Sequence, residues 1–196
     1  VYYQMKGVAS QGDILYSSIQ IWGKPGPLSM NMDLLGTWNE RGNYADIWGY
    51  TDANTGIEYA LICARDEGLS IIDITDDPPV EVGFVPSIEP GNDAKDVKVY
   101  DHYAILIKEY EPAQVINLAD PDDPVVVSTI HFGDPNTDGG AHNCYVDGQY
   151  LYAIGHDIAG FEIYDMSSPQ SPTLVGNYDT YYYHDIYVQN GIAYAA

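Results

Sequence analysis

Basic residues are scarce in this sequence. Its 196 residues include seven Lys and Arg against 29 Asp and Glu, which gives a formal net charge of -22. A surface this negative repels phosphate backbones and anionic lipid headgroups, so we expect neither nucleic-acid binding nor electrostatic attachment to a membrane. Acidic loops keep a β protein soluble, and they are also compatible with cations and with a secreted protein.

Long apolar runs and helical periodicity are also missing. No stretch approaches the roughly 18 consecutive apolar residues of a spanning helix, so we expect no direct membrane insertion, and the first residues lack the pattern of a secretory leader. The two cysteines, Cys63 and Cys144, form no CxxC pair and fall on different strands. We therefore expect both to pack as small apolar side chains.

The sequence does contain a repeat, and its clearest copy is LSIIDITDDPPVEVGFV from Leu69 to Val85. The same design returns as AQVINLADPDDPVVVSTI and as FEIYDMSSPQSPTLVGNY. Three sets of residues correspond at steps of 44 or 45 and then 48: Asp73, Asn117 and Asp165; Pro79, Pro124 and Pro172; Gly83, Ser128 and Gly176. A period of this length made of short strands predicts a β-propeller, in which each repeat is one sheet.

Each repeat divides into four strands, and the first strand carries an acid or its amide near its start. The four first strands begin as ADIWGY, KDVKVY, HNCYV and HDIYV. Hairpin dipeptides such as Asp147-Gly148 and Asn190-Gly191 follow them. We predict an all-β fold with about four four-stranded antiparallel blades over residues 32–196, the last incomplete, in a fragment of a larger propeller. Residues 1–31 are predicted to form irregular strands of an earlier blade, and Asp33 to Trp38 to match an outer strand.

The order of the strands determines which loops share an end of the propeller. In an up-and-down meander, the second-to-third loops and the blade-to-blade crossings lie at one end, which we call the crossing face. The longer loops all belong to it: residues 65–68, 86–94, 108–112, 131–141, 155–160 and 179–183. Because loops on a rigid scaffold often carry function, we expect the functional site at this end.

Several phrases of the chain point to one family. YADIWGY, KDVKVY, GGAHNCYVDG and YYYHDIYVQNGIAYAA, interleaved with segments of the IDITDDPPVEVGF type, resemble the choice-of-anchor B family of bacterial surface proteins, built from LVIVD-type propeller repeats. The resemblance covers about Met32 to Ala196. It implies a secreted or surface-displayed propeller that is attached through a C-terminal anchor, which varies between members of the family, and the family as a whole implies no particular activity. With the acidic surface and no complete catalytic motif, it favours a non-enzymatic scaffold that binds an extracellular protein or a glycan.

Equivalent polar residues open the four inner strands. They are Asp46, Asp96, Asn143 and Asp185, and His142 and His184 precede the last two. Because inner strands crowd around the propeller axis, these oxygen and imidazole groups could converge on a divalent ion at the channel mouth. The alternative function is then a metal-dependent, hydrolase-like enzyme with His142, His184 and Asp185 as catalytic residues. Equally, each Asp or Asn could tie its loop to backbone N–H groups once per blade.

A second candidate metal site lies in the loop before His142. Asp134, Asn136 and Asp138 have the D-x-N-x-D-G spacing of the first half of a calcium loop. The twelfth position is Tyr145 and not Glu, so the usual bidentate ligand is missing, and these residues are also common in turns. We expect bound Ca²⁺ to order this crossing and to hold His142 and Asn143 at the channel mouth.

Overall fold

A computed structural model describes residues 36–75, 78–89, 91, 93–134 and 139–196, and regular structure in these residues consists of β-strands. The strands are β1 (Tyr44–Thr51), β2 (Glu58–Ala64), β3 (Gly68–Asp73), β4 (Val80–Pro86), β5 (Ala94–Tyr100), β6 (Tyr103–Lys108), β7 (Ala113–Asn117), β8 (Val125–Ile130), β9 (Asn143–Asp147), β10 (Tyr150–Ile154), β11 (Phe161–Asp165), β12 (Thr173–Tyr178), β13 (Ile186–Gln189) and β14 (Ile192–Ala195). Across these described ranges, no helix is long and apolar enough to cross a membrane.

The strands form three four-stranded antiparallel meanders and a two-stranded pair. Blade 1 is β1 to β4, blade 2 is β5 to β8 and blade 3 is β9 to β12, while β13 pairs with β14. The first strands of successive sheets, β1, β5, β9 and β13, contact one another in turn and form the inner edge. The predicted all-β propeller architecture is therefore confirmed. The predicted segment 1–31 lies outside the described residues, and Gly36 to Trp38, the described part of the predicted outer strand, contains no strand.

The hairpin turns have the backbone geometry that their residue types predict. Asp101, Asn190 and Gly191 have positive φ values of 55°, 54° and 73°, and Gly148 has a φ of 60°. Asp, Asn and Gly tolerate this left-handed region better than other residues, so tight turns can join first and second strands.

One small residue recurs in every outer strand beside a β-bulge. The pairing of third and fourth strands shifts by one residue immediately before Gly83, Ser128 and Gly176 in blades 1, 2 and 3. A Cβ on Gly83 would overlap the carbonyl oxygen of Pro121 in the next blade. The Ser128 hydroxyl donates to the equivalent carbonyl of Pro169 at 2.6 Å. In blades 1 and 2 the position stays small because the turn of the following blade packs directly against it.

The core consists of apolar layers between neighbouring blades. Strand β6 is buried along its whole length because it has a blade on each side. Its Ala104 and Leu106 pack toward blade 1, whereas Ile105 and Ile107 pack toward blade 3. Successive side chains of β6 thus still alternate between the two faces of the sheet, but both faces are apolar. Cys63 and Cys144 are free and fully buried in these layers, as predicted, and burial raises the pKa of both thiols.

Candidate functional site on the crossing face

The acids that open the inner strands bind backbone amides. Asp96 Oδ1 accepts the N–H of Val97 at 2.8 Å, and Asp185 Oδ1 accepts the N–H of Ile186 at 2.9 Å. Asp46 makes the same bond with the residue that follows it. Asn143 opens β9 opposite Ile154. Each carboxylate therefore anchors the start of its own strand, which is the local role that turn-forming acids have.

Asp96 additionally joins three blades through a buried cluster. Its side chain is 2% exposed, and its Oδ2 accepts the N–H of Cys144 on β9 at 2.7 Å. Lys98 on β5 pairs with Asp96 and reaches Asp46 on β1 at 3.2 Å. The Lys98 ammonium also lies 4.6 Å from the ring centroid of Trp48, within the range of a cation–π contact. The inner strands β1, β5 and β9 are thus held together by Asp46, Asp96 and Lys98.

Burial and the neighbouring charges shift the pKa values of the three groups in this cluster in different directions. Burial, together with the hydrogen bond to Asp46, raises the pKa of Asp96 to about 7. Burial acts against ionisation of Asp46 as well, but its bond with Asp96 and the charge of Lys98 lower its pKa overall. The pKa of Lys98 rises despite burial because both carboxylates surround its ammonium. Asp46 therefore carries the negative charge and Asp96 titrates near neutrality.

A chain of ion pairs crosses the loops above this cluster. Arg65 binds Asp93 through two nitrogens, each at 2.7 Å. Lys95 bridges Asp93 at 2.6 Å and Glu109 at 3.1 Å, and Glu109 contacts His142 Nδ1 at 2.9 Å. These ion pairs join the 65–68 loop to the crossings into blades 2 and 3. Because its members are mostly half-buried or better, it holds the loops of three blades in one arrangement.

Two of the predicted catalytic residues come together at the end of this chain. The ring centroids of His142 and His184 lie 4.1 Å apart, with an angle of 45° between the rings. Because a carboxylate accepts hydrogen bonds, Nδ1 of His142 is the donor to Glu109, and Nε2 is the ring nitrogen on the other side. The carboxylate of Asp185 is bound to the Ile186 amide instead. Within the described ranges, no group of three or more His, Cys, Asp or Glu side chains could hold a metal ion.

Sequence reasoning missed Glu109 and Lys98. Glu109 follows a buried strand and had no motif around it, so no sequence signal pointed to it. Lys98 stands two residues after Asp96, where the other inner strands have Trp48, Tyr145 and Tyr187. A lysine among aromatic residues at a repeated position was the signal that could have identified the buried cluster.

A cavity of about 250 Å³ opens on the crossing face beside blade 3. Its lining includes Asp134, Asp157, Phe161, Tyr178 and Asp179. Of the predicted calcium loop, Asp134 thus lies at this cavity, while Asn136 and Asp138 lie outside the described residues.

Three tyrosines on neighbouring crossing loops are open to solvent. The exposed fractions are 55% for Tyr110, 63% for Tyr181 and 59% for Tyr182. Tyr110 packs edge-on against His156 with ring centroids 4.7 Å apart, so at least one of these rings is held in place. The next residue, Tyr183, instead packs against Phe161 and Tyr178.

Comparison with known proteins identifies the repeat. Residues 58–83 and 138–180 match the family model of the LVIVD repeat. The first match covers β2, β3 and most of β4, and the second covers β9 to β12. A search of curated proteins found no match for this chain. The predicted LVIVD repeat type is confirmed, whereas the narrower resemblance to choice-of-anchor B proteins remains a prediction. Blade 2, which the matches do not cover, has the same strand order and the same bulge.

Proposed function

We propose that this chain is a non-enzymatic binding scaffold whose partner docks on the crossing face. One observation carries the proposal: the exposed rings of Tyr110, Tyr181 and Tyr182 project from loops of that face, beside the ion-pair chain that runs from Arg65 to His142. Tyrosine is enriched at protein interfaces because its ring buries a large apolar area at low entropic cost. Ordered loops bind with less loss of entropy, so this face is suited to recognition.

The chemistry of the surface supports an extracellular partner. A net charge of -22 disfavours nucleic acid and anionic lipid, whereas an extracellular protein or a glycan is compatible with it. LVIVD repeats and the choice-of-anchor B resemblance add support for a secreted protein or one displayed on a bacterial surface. We propose that location for the chain.

An array of extracellular proteins and glycans tests the binding function. We expect ligands of the wild-type chain to bind about tenfold more weakly to the Tyr181→Ala/Tyr182→Ala double variant, because each exposed ring contributes contact area. The control is Tyr187→Ala/Tyr194→Ala, which removes two exposed rings from β13 and β14. Absence of any ligand, together with a substrate screen in which turnover depends on His142, would overturn the scaffold in favour of an enzyme.

A metal-dependent hydrolase is the second candidate function, and the contact between Glu109 and His142 favours it. Histidines that ligate metals commonly donate their other ring N–H to a carboxylate, which is the arrangement at His142. His184 is close enough to contribute a second imidazole. This function predicts calorimetric Zn²⁺ binding that His142→Ala abolishes, together with metal-dependent ester hydrolysis. Unchanged heats for wild type and His142→Ala would exclude it.

We also propose that Ca²⁺ stabilises the crossing into blade 3. Asp134 lies in an acidic environment with Asp157 and Asp179 at the same cavity, and a cation would neutralise that charge. At free calcium one hundred times the dissociation constant, mass action contributes about 2.7 kcal/mol. Millimolar Ca²⁺ should raise the melting temperature, and Asp138→Ala should remove most of the response while Asp122→Ala, in a turn of blade 2, should keep it. Identical melting curves with calcium and with chelator would refute this stabilisation.

A further inference from the structure

Five aromatic rings form a continuous surface on the crossing face. The rings of Tyr110 and His156 meet edge-on, with centroids 4.7 Å apart. The rings of His142 and His184 lie 4.1 Å apart. Gly155 connects the two pairs, because a Cβ built on it would lie 2.6 Å from the Cβ of His142 and 3.5 Å from the hydroxyl of Tyr182. We call this surface the aromatic patch, and its members are Tyr110, His142, His156, Tyr182 and His184.

The backbone takes an unusual conformation where it places His156 in the patch. Gly155 and His156 have φ values of 77° and 54°. Glycine adopts this left-handed region freely, whereas a residue with a Cβ does so at an energetic cost. The other non-glycine residues with positive φ in the described ranges, Asp101 and Asn190, belong to tight hairpin turns. A histidine kept at such a position outside a hairpin points to a role for its ring.

The rings of the patch are open to solvent and held in place. Tyr110, Tyr182 and His184 are exposed. The edge-on contact fixes Tyr110 against His156, whose Nδ1 lies 2.9 Å from the carboxylate of Asp157. The hydroxyl end of Tyr182 rests against the Gly155 backbone. Because the rings are positioned before a partner arrives, binding loses little side-chain entropy.

The charge of the chain determines which partners this patch attracts. The described ranges contain five Lys and Arg residues, and each is in an ion pair with a carboxylate. An anionic partner therefore meets no unpaired Lys or Arg in this part of the chain. The net charge of -22 attracts a basic partner from a distance. The faces of aromatic rings carry partial negative charge and also favour a cation.

We infer that the aromatic patch binds arginine side chains of an extended, basic protein segment, an inference that rests on the binding function proposed above. A guanidinium group is flat, so it stacks on the exposed rings of Tyr110 and Tyr182. The exposed carboxylate of Asp157, beside His156, can accept its N–H groups. Lysine carries the same charge but lacks a flat face, and a neutral glycan is not attracted by the net charge.

Calorimetric titration of the whole chain at about 0.15 M salt tests the inference. The four probes are an unstructured peptide with arginines separated by Gly-Ser pairs, its lysine and citrulline counterparts, and cellohexaose as a neutral sugar. Citrulline keeps the flat shape of arginine and removes its charge. We expect the arginine peptide to bind about fivefold more tightly than the lysine peptide, and the citrulline peptide and the sugar to bind more weakly than both.

Substitutions locate the binding on the patch. Tyr110→Leu should weaken binding of the arginine peptide about fourfold, whereas Tyr110→Phe should keep it, because phenylalanine retains the ring face. His156→Gly should weaken binding about threefold and leave the melting temperature close to that of wild type, since glycine relieves the backbone. The matched control is Asn190→Gly, because Asn190 has the same φ of 54° in the β13–β14 turn at the opposite end, and binding should not change.

Four results would overturn the inference: no binding of the arginine peptide, equal or tighter binding of any other probe, equal effects of Tyr110→Leu and Tyr110→Phe, or equal binding by His156→Gly and Asn190→Gly. The two levels of function are separable. A partner found on the array that depends on Tyr181 and Tyr182, without binding of the arginine peptide, would refute the arginine site and leave the scaffold intact. Absence of binding in both experiments would refute both.

Discussion

Replacement of Asp96 by alanine is the sharpest test of how the blades are held together. Asp96 is 2% exposed and accepts two backbone amides, Val97 N at 2.8 Å and Cys144 N at 2.7 Å. It is also a partner of the buried Lys98. Alanine removes all of these contacts at once. It removes an acceptor from two amides and leaves the Lys98 ammonium with the Asp46 carboxylate at 3.2 Å and the Val97 carbonyl at 3.1 Å.

The expected cost follows from those lost contacts. An unsatisfied buried polar group costs about 1–3 kcal/mol, and breaking one side of a buried ion pair costs about 3–5 kcal/mol. These costs overlap and Asp46 still compensates part of the charge, so we expect a loss of about 4 kcal/mol. Asp96→Asn keeps one carbonyl acceptor and should lose about half as much. Against a typical total of about 5–15 kcal/mol, the alanine variant should be marginal.

Urea unfolding followed by circular dichroism at about pH 8 measures the difference. The matched control is Asp185→Ala, because Asp185 has the equivalent repeat position but is exposed, and among the described residues its carboxylate accepts only the Ile186 amide. We expect that control to lose about 1 kcal/mol or less. Adding Lys98→Met to Asp96→Ala should recover part of the stability, since no buried charge then lacks a partner. Equal losses of unfolding free energy in Asp96→Ala and Asp185→Ala would show that Asp96 does not hold the blades together.

The same residue should make stability depend on pH. Burial first, and the bond with Asp46 second, raise the pKa of Asp96 from 3.8 to about 7 in the folded protein. Because the folded value exceeds the unfolded one, this contribution to stability is present at low pH and is lost as pH rises through about 7. The wild type should therefore lose more stability than Asp96→Asn between about pH 5 and pH 8. Parallel unfolding midpoints for the two proteins over this range would contradict the shift.

Two further substitutions test the contacts between blades. Gly83→Ala should cost about 1–3 kcal/mol in thermal or urea unfolding, because its methyl group meets the carbonyl of Pro121. The equivalent Gly176→Ala should be nearly neutral, since its Cβ would lie 3.5 Å from the nearest atom, which is an ordinary contact. Equal losses of stability in Gly83→Ala and Gly176→Ala would refute the steric explanation. Glu109→Gln should cost about 1–2 kcal/mol at neutral pH by weakening the charge-assisted contacts to Lys95 and His142. Burial acts to raise the pKa of Glu109, but the contacts with His142 and Lys95 outweigh burial and lower the pKa below 4.5. The stability difference between wild type and Glu109→Gln should therefore shrink as pH falls through the folded pKa of Glu109. A stability difference that stays constant down to about pH 3 would contradict this explanation.

The sequence by itself determined the propeller architecture, the strand order and the loops that share the crossing face. These features are readable because they depend on local and repeated signals. Strand alternation has a period of two, the turns need Asn, Asp or Gly, and a small residue returns beside each bulge at Gly83, Ser128 and Gly176. Even the proximity of His142 and His184 follows from the repeat, since equivalent positions on adjacent inner strands must be neighbours.

Only the tertiary structure decided what each repeated position does. Asp96 and Asp185 are equivalent in the sequence, yet one is buried between blades and titrates near neutrality while the other is exposed. Glu109 and His142 are 33 residues apart, and no motif joins them. The reason is that burial and partners depend on the neighbouring blade, whose distance and side chains a repeat does not specify. The repeat period determines where a residue lies within its blade. The packing of one blade against the next determines how deeply that residue is buried, which groups it contacts and whether it is ionised.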